Sequence, residues 1–140
     1  MVAFLLLYAL NPRWLEPLAL PLPAWLRMLG IALGLASLAL YAWSRATLGR
    51  QWSSQLRVRQ EHQLVTTGPY AHIRHPIYAA LDLFLTSIAL VTAHAFLFAF
   101  LAVSVLDHAM RIPKEEQLML ERFGEEYREY MERAGRWLPK

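Results

Sequence analysis

Residues 77–106 read IYAALDLFLTSIALVTAHAFLFAFLAVSVL, a run of thirty positions whose only acidic or basic members are Asp82 and His94. One straight α-helix of that length, rising 1.5 Å per residue, would extend about 45 Å and overshoot a hydrocarbon core about 30 Å thick. The run therefore predicts a tight helical hairpin. Its turn is expected near Thr92-Ala93-His94, giving spans over roughly residues 78–91 and 95–110. The first is short enough to require tilt or local bilayer thinning.

The rest of the chain agrees with a membrane reading. Of its 140 residues 56% are hydrophobic, the mean hydropathy is positive, and the apolar residues form long blocks where a soluble core would show stripes interrupted every few positions. That length leaves room for one domain, covering residues 1–140, with amino-terminal spans over 1–47 and a distinct core over 48–139. The absence of cysteine excludes disulfides, thiolate nucleophiles and Cys-based zinc sites, so chemistry must come from His, Arg, Glu, Tyr or a bound cofactor. The net charge of +3 arises from basic residues that flank apolar blocks without building a basic face, so no nucleic-acid partner is expected.

Upstream of the hairpin, residues 24–43 supply twenty positions with one charge, Arg27, near enough to the start to snorkel. Gly30 and Gly34 lie four apart and suit close helix approach, with packing inside the bundle favoured over a dimer face. Residues 44–62 turn polar and are expected on or outside the membrane, leading to a Gly68-Pro69 turn. Residues 1–10 are too short to span unless the helix continues towards Leu22 through Pro12, Pro17 and Pro21; a re-entrant or interfacial segment is the alternative. No basic residues precede this apolar start and no small-residue cleavage site follows, so a removable signal peptide is not expected.

Downstream, a charged helix is expected after Arg111, with Pro113 in its first turn. Its apolar or aromatic face carries Leu120, Phe123, Tyr127, Met131 and Ala134, interrupted by Gly124. Two of the fourteen Lys and Arg residues, Arg13 and Arg27, fall on one side of a four-span arrangement, and the remaining twelve on the other. The positive-inside rule puts that second side, with both termini, in the cytoplasm. The expected fold is all-α: a multi-pass transmembrane bundle of about four spans with a carboxy-terminal amphipathic cytoplasmic helix.

Two constellations carry candidate chemistry. Tyr70-Ala71-His72-Ile73-Arg74-His75-Pro76-Ile77-Tyr78 places two His, one Arg and two Tyr just before a span, where ionisable groups are costly unless used or paired. An interfacial anchoring belt is the alternative use of the same residues. A zinc site from His62, His72 and His75 matches no standard ligand spacing, so no metal is expected. The second constellation is Arg111, Glu115 and Glu116. Its acids complement a helix dipole at a first turn, but Arg111 and Glu115 also share one face if the helix continues through Pro113.

The string HQLVTTGPYAHIRHPIY over residues 62–78, the hairpin, Arg111-Ile112-Pro113-Lys114-Glu115-Glu116, and then Phe123-Gly124-Glu125-Glu126-Tyr127 with Tyr130 resemble, as an ordered set, the isoprenylcysteine carboxyl methyltransferases and related phospholipid methyltransferases. The resemblance covers roughly residues 48–139 and implies S-adenosyl-L-methionine as cofactor, held by membrane-edge loops. It implies that Gln55, His62, Gln63, Leu64, Val65, Tyr70, His75, Pro76, Ile77, Tyr78 and Glu115 contact that cofactor. It further assigns Arg111 to the acceptor and gives Arg74 a place in the catalytic signature. The chain has no G-x-G-x-x-G and no βαβ pattern, as that cofactor mode requires.

The implied activity is methyl transfer to a lipophilic small-molecule or prenylated acceptor at the cytoplasmic interface, with membrane lipid as the other partner. A carboxylate of isoprenylcysteine type heads the acceptors, and a carboxylate needs no general base. An amine or thiol would, and His75 or Glu116 would be the first suspects. The rival readings are a phospholipid N-methyltransferase, an NADPH-dependent membrane reductase of the sterol reductase type, and a non-enzymatic scaffold. The methyl-transfer reading requires that His75 and Glu115 meet.

Overall fold

A computed structural model of the chain describes residues 17–49 and 64–140. The described residues form α1 (Ala24–Leu48), a 3₁₀ turn (Gly68–Ala71), α2 (Pro76–Thr92), α3 (Ala95–Phe123) and α4 (Glu125–Arg133). The expected span over residues 1–10 lies outside them.

Helix α1 starts after Pro23 and runs to Leu48, five residues beyond the expected end at Trp43. Ser44 and Thr47 are polar by composition, yet their hydroxyls donate back to the Leu40 and Trp43 carbonyls at 2.7 and 2.9 Å and so stay within the helix. The helix packs antiparallel to α2 through its glycines. A Cβ built on Gly30 would lie 2.9 Å from Leu90 Cβ and 3.1 Å from the Ser87 carbonyl oxygen, and one on Gly34 would lie 2.6 Å from Ser87 Oγ. The glycine pair therefore serves helix contact within the bundle.

The hairpin turns where the apolar run predicts. Ala93 adopts φ 55°, ψ 44°, closes α2 through its N–H to the Ala89 carbonyl, and is followed by extended His94 before α3 begins. A left-handed alanine costs about 1–2 kcal/mol. Burial to 1% exposure and a hydrogen bond from Leu20 N–H to the Ala93 carbonyl at 2.6 Å hold it there.

One expectation is corrected. No new helix begins at Pro113: α3 continues for 29 residues with Pro113 inside it. An interior proline forfeits a backbone bond and crowds the preceding turn. Here Ile112 and Glu116 on either side are both buried and fix the backbone. The break comes at Gly124, whose φ of 54° lies in the region that favours glycine. Past it, α4 buries Tyr127 and Tyr130 while Glu125, Glu126, Arg128 and Glu129 stay exposed. Tyr127, Tyr130 and Ala134 pack with Leu64, Met131 and, from α3, Met119, Leu120 and Phe123.

Two described helices, Ala24–Leu48 and Ala95–Phe123, are long and apolar enough to cross a membrane, and Pro76–Thr92 is apolar but shorter. Their apolar side chains point outward: Trp25, Met28, Leu35 and Trp43 on α1 and Val103, Leu106 and Met110 on α3 are more than half exposed. A core helix of a soluble protein would bury such residues.

Candidate active site

Both helices of the hairpin rise at the same rate, so residues equally far from Ala93 stand at the same level. Tyr78 on α2 meets His108 on α3, with ring centroids 4.4 Å apart, and Asp82 meets Ser104. The polar second half of α3 is thereby carried back beside the loop that precedes α2. Pro76 at the first helical position, with its ring-fixed φ, starts α2 and leaves His75 as the N-cap residue.

His75 and Glu115 come together there. His75 Nδ1 lies 3.8 Å from Glu115 Oε2, and Nε2 lies 3.4 Å from Glu116 Oε1. Tyr78 donates its hydroxyl to Glu115 Oε1 at 2.5 Å, and its ring stacks on His75 at 5.9 Å. One carboxylate is thus held between a phenol and an imidazole, with its side chain 25% exposed.

The neighbouring carboxylate is buried and committed. Arg74 reaches Glu116 Oε1 through Nε and Nη2, both at 2.9 Å, and Arg136 Nη2 reaches Oε2 at 2.6 Å. Burial alone would raise the Glu116 carboxyl, but the His75 contact and the bonds from Arg136 and Arg74 outweigh it and hold the group down at about 2. Arg74 also donates Nη1 to the Met131 carbonyl at 3.0 Å and to the Ala134 carbonyl. Its guanidinium therefore ties the loop, α3 and the end of α4 into one unit. The backbone completes the tie: Arg74 N–H donates to the Gly135 carbonyl at 2.8 Å, Gly135 N–H to the His72 carbonyl at 2.9 Å, and His75 N–H to the Arg136 carbonyl at 3.2 Å.

The remaining named residues divide clearly. Pro76 is fully buried, Tyr70 is buried with its carbonyl accepting the Tyr130 hydroxyl at 2.7 Å, and Leu64, Val65 and Ile77 are half-buried. Leu64 packs on the cluster of Tyr127, Tyr130 and Ala134. Burial raises the Tyr70 and Tyr127 phenols and pushes Tyr130 up to about 12, which keeps them protonated. Arg111 is exposed and pairs with Asp107 at 2.9 Å on its own helix. Gln55, His62 and Gln63 lie outside the described residues.

Arg136, the tail partner of Glu116, and the Asp82–His108 pair were not singled out from sequence. Arg136 sits twenty residues beyond its partner in a charged stretch with no distinguishing pattern. Asp82 did carry a signal, as an acid inside an apolar run. Among the described residues no group of three or more His, Asp or Glu could hold a metal ion.

A sequence profile of the isoprenylcysteine carboxyl methyltransferase (ICMT) family matches residues 28–121. Protein-S-isoprenylcysteine O-methyltransferase B of Arabidopsis thaliana is 29% identical over 118 residues, covering 82% of this chain and 60% of that protein. The cobalt-zinc-cadmium resistance protein CzcN of Cupriavidus metallidurans is 30% identical over 129 residues, covering 91% of this chain and 52% of that protein. The solved structure of a eukaryotic intramembrane Ras methyltransferase, ICMT, superposes with a TM-score of 0.74 at 25% identity, covering 99% of this chain and 48% of that one. The chain belongs to the isoprenylcysteine carboxyl methyltransferase family. It spans about half to three-fifths of the length of these relatives. The family and fold are integral to membranes, in agreement with the outward-facing apolar helices.

Proposed function

We propose that the chain transfers the sulfonium methyl group of S-adenosylmethionine to a lipophilic acceptor at the cytoplasmic membrane interface, the acceptor being a carboxylate of isoprenylcysteine type. The observation that carries this reading is the meeting of His75 with Glu115, two residues forty positions apart, under the Tyr78 hydroxyl. The family relatives named for isoprenylcysteine methylation support the acceptor class. The skewed distribution of Lys and Arg supports about four spans with both termini cytoplasmic.

The residues present fit the cofactor. Trp137 Nε1, one residue beyond the Arg136 that binds Glu116, is buried without a hydrogen-bond partner among the described residues. Such an atom suits an acceptor of a bound ligand. Glu115 has acceptor capacity left for hydroxyl or ammonium donors, and the Tyr78 and His75 rings can face a cation. Gln55, His62, Gln63, Leu64, Val65, Tyr70, Pro76 and Ile77 complete the cofactor set by family likeness.

When bound, the cofactor supplies an electrophilic methyl group, and the chain's own residues do the positioning. Arg111 presents a guanidinium fork that can hold an acceptor carboxylate. Its exposed pairing with Asp107 is worth no more than about 1 kcal/mol, so a ligand carboxylate can replace it at little cost. Arg74 is a positioning residue, since its donors are spent on Glu116 and the backbone of α4. The acceptor's tail partitions into lipid and enters from the side of the hairpin, where water is excluded.

Calorimetry on the purified chain tests the reading. S-adenosylhomocysteine should bind, and Glu115→Gln should weaken it by tenfold or more. Binding of NADPH without S-adenosylhomocysteine would overturn the assignment.

A further inference from the structure

The hairpin carries a second group of polar side chains that the cluster at Glu115 leaves unused. Asp82 on α2 faces His108 on α3, with Oδ1 2.9 Å and Oδ2 3.1 Å from His108 Nδ1. Ser104 Oγ donates to Asp82 Oδ1 at 3.3 Å. These residues lie in the apolar part of the bundle, and His108 is 8% exposed. A buried ionisable pair is a poor source of stability, because desolvation cancels most of its attraction and apolar packing of the same volume does as well. Ionisable residues among apolar spans are retained where they serve function.

The geometry sets the tautomer. A carboxylate beside Nδ1 holds the proton there, which leaves the lone pair on Nε2. The imidazole lies against Tyr78, whose hydroxyl rests on Glu115. His108, Arg111 and Glu115, at i, i+3 and i+7, share one face of α3. The pair is therefore the deeper end of the polar stripe that forms the candidate site.

A carboxylate acceptor attacks as its anion and leaves such a base without a task. The suspects nearer the cluster are taken: the Glu116 carboxyl is held at about 2, and both ring nitrogens of His75 face carboxylate oxygens, which leaves neither turned to an acceptor. We propose that Asp82 and His108 form a general-base dyad through which the same site also methylates a lipophilic thiol. The inference rests on the methyl-transfer reading above and adds a second acceptor class to it.

In the step, His108 Nε2 takes the thiol proton and the acceptor sulfur's electron pair forms the new S–CH₃ bond. The S–CH₃ bond of the sulfonium donor breaks, and its electron pair stays on the donor sulfur as a neutral thioether. The imidazolium then releases its proton to solvent. A thiol suits this base better than an amine. Ordinary thiols lie about 2 pKa units above imidazole and ordinary ammonium groups about 4, so proton transfer is about a hundredfold less unfavourable. The thiol is also neutral when it enters the hairpin, whereas an ammonium must shed its hydration.

The test uses the full chain in nanodiscs with labelled S-adenosylmethionine and two acceptors carrying the same farnesyl tail, one ending in a cysteine carboxylate and one in a thiol. His108→Asn keeps a donor for Asp82 where Nδ1 stood and removes Nε2. Wild type should methylate both acceptors, and H108N should lower the thiol-to-carboxylate turnover ratio by about a hundredfold or more. Imidazole ¹⁵N spectra should independently find His108 protonated at Nδ1. If H108N does not fold, Asp82→Asn is read by the same ratio. Equal losses on both acceptors, carboxylate turnover by wild type without thiol turnover, or a proton at Nε2 would each overturn the dyad and leave the methyl-transfer reading standing. No turnover of either acceptor, together with no S-adenosylhomocysteine binding, would remove that reading and this inference with it.

Discussion

Glu116→Gln tests the anchoring of the site most directly, because the carboxylate is buried and two separate segments, the loop before α2 and the carboxy-terminal tail, converge on it. Its pKa falls from an ordinary 4.5 to about 2, against the effect of burial, through His75, Arg136 and Arg74. A shift of that size corresponds to about 3 kcal/mol of preference for the ionised, folded form. Arg136 is 45% exposed, so solvent screens its share, and about 2 kcal/mol is the working figure. The sign follows from the depressed pKa. The contribution is complete above the unfolded value near 4.5 and is lost as pH falls towards about 2. For a chain of this size roughly 3 °C accompanies each kcal/mol, so E116Q should melt about 6 °C below wild type at pH 7. Thermal unfolding in detergent, followed by circular dichroism from pH 7 to pH 2, reads both effects. The two melting curves should draw together at the acid end, where about half of the wild-type carboxyl is itself protonated. Equal melting temperatures at pH 7, or a gap that persists undiminished at pH 2, would refute the anchoring role.

Two further variants probe the frame that positions the site. Gly30→Ala should cost about 1–3 kcal/mol, since its Cβ meets Leu90 Cβ and the Ser87 carbonyl, which is backbone and cannot swing aside; an unchanged melting temperature would mean that the helices do not touch there. Pro113→Ala restores a backbone donor inside a continuous helix and should stabilise the chain by about 1–3 kcal/mol in the same assay, whereas a loss would mean that α3 is interrupted at this position.

The hairpin was legible because an apolar run has few ways to satisfy its backbone in lipid, and thirty residues are too many for one span. Once the turn is placed at Ala93, equal counting along the two helices says that Tyr78 meets His108 and Asp82 meets Ser104, so even part of the side-chain register follows from sequence. The extent of α3 did not. Local propensity argues for a boundary at Pro113, and only the burial of Ile112 and Glu116 on either side overrides it. Similarly, a stretch that turns polar from Ser44 onward stays helical to Leu48, because the Ser44 and Thr47 hydroxyls find acceptors on carbonyls one turn back.

For the site, residue types near the hairpin's ends marked His75, Tyr78, Arg111 and Glu115, because charge is scarce beside apolar spans and stands out where it occurs. Which of two adjacent glutamates keeps an open surface was beyond that signal. Neighbours on a helix point about 100° apart, so one of the pair turns to Tyr78 with part of its surface open, while the other turns inward to Arg74 and Arg136. The chain's own order determined the hairpin and the inventory of reactive groups, since both depend on local hydropathy and spacing. Tertiary structure alone decided that Arg74 holds α4, that Arg136 returns to Glu116 and that His108 is oriented by Asp82. Those pairings join residues far apart in the chain, and no local preference encodes them.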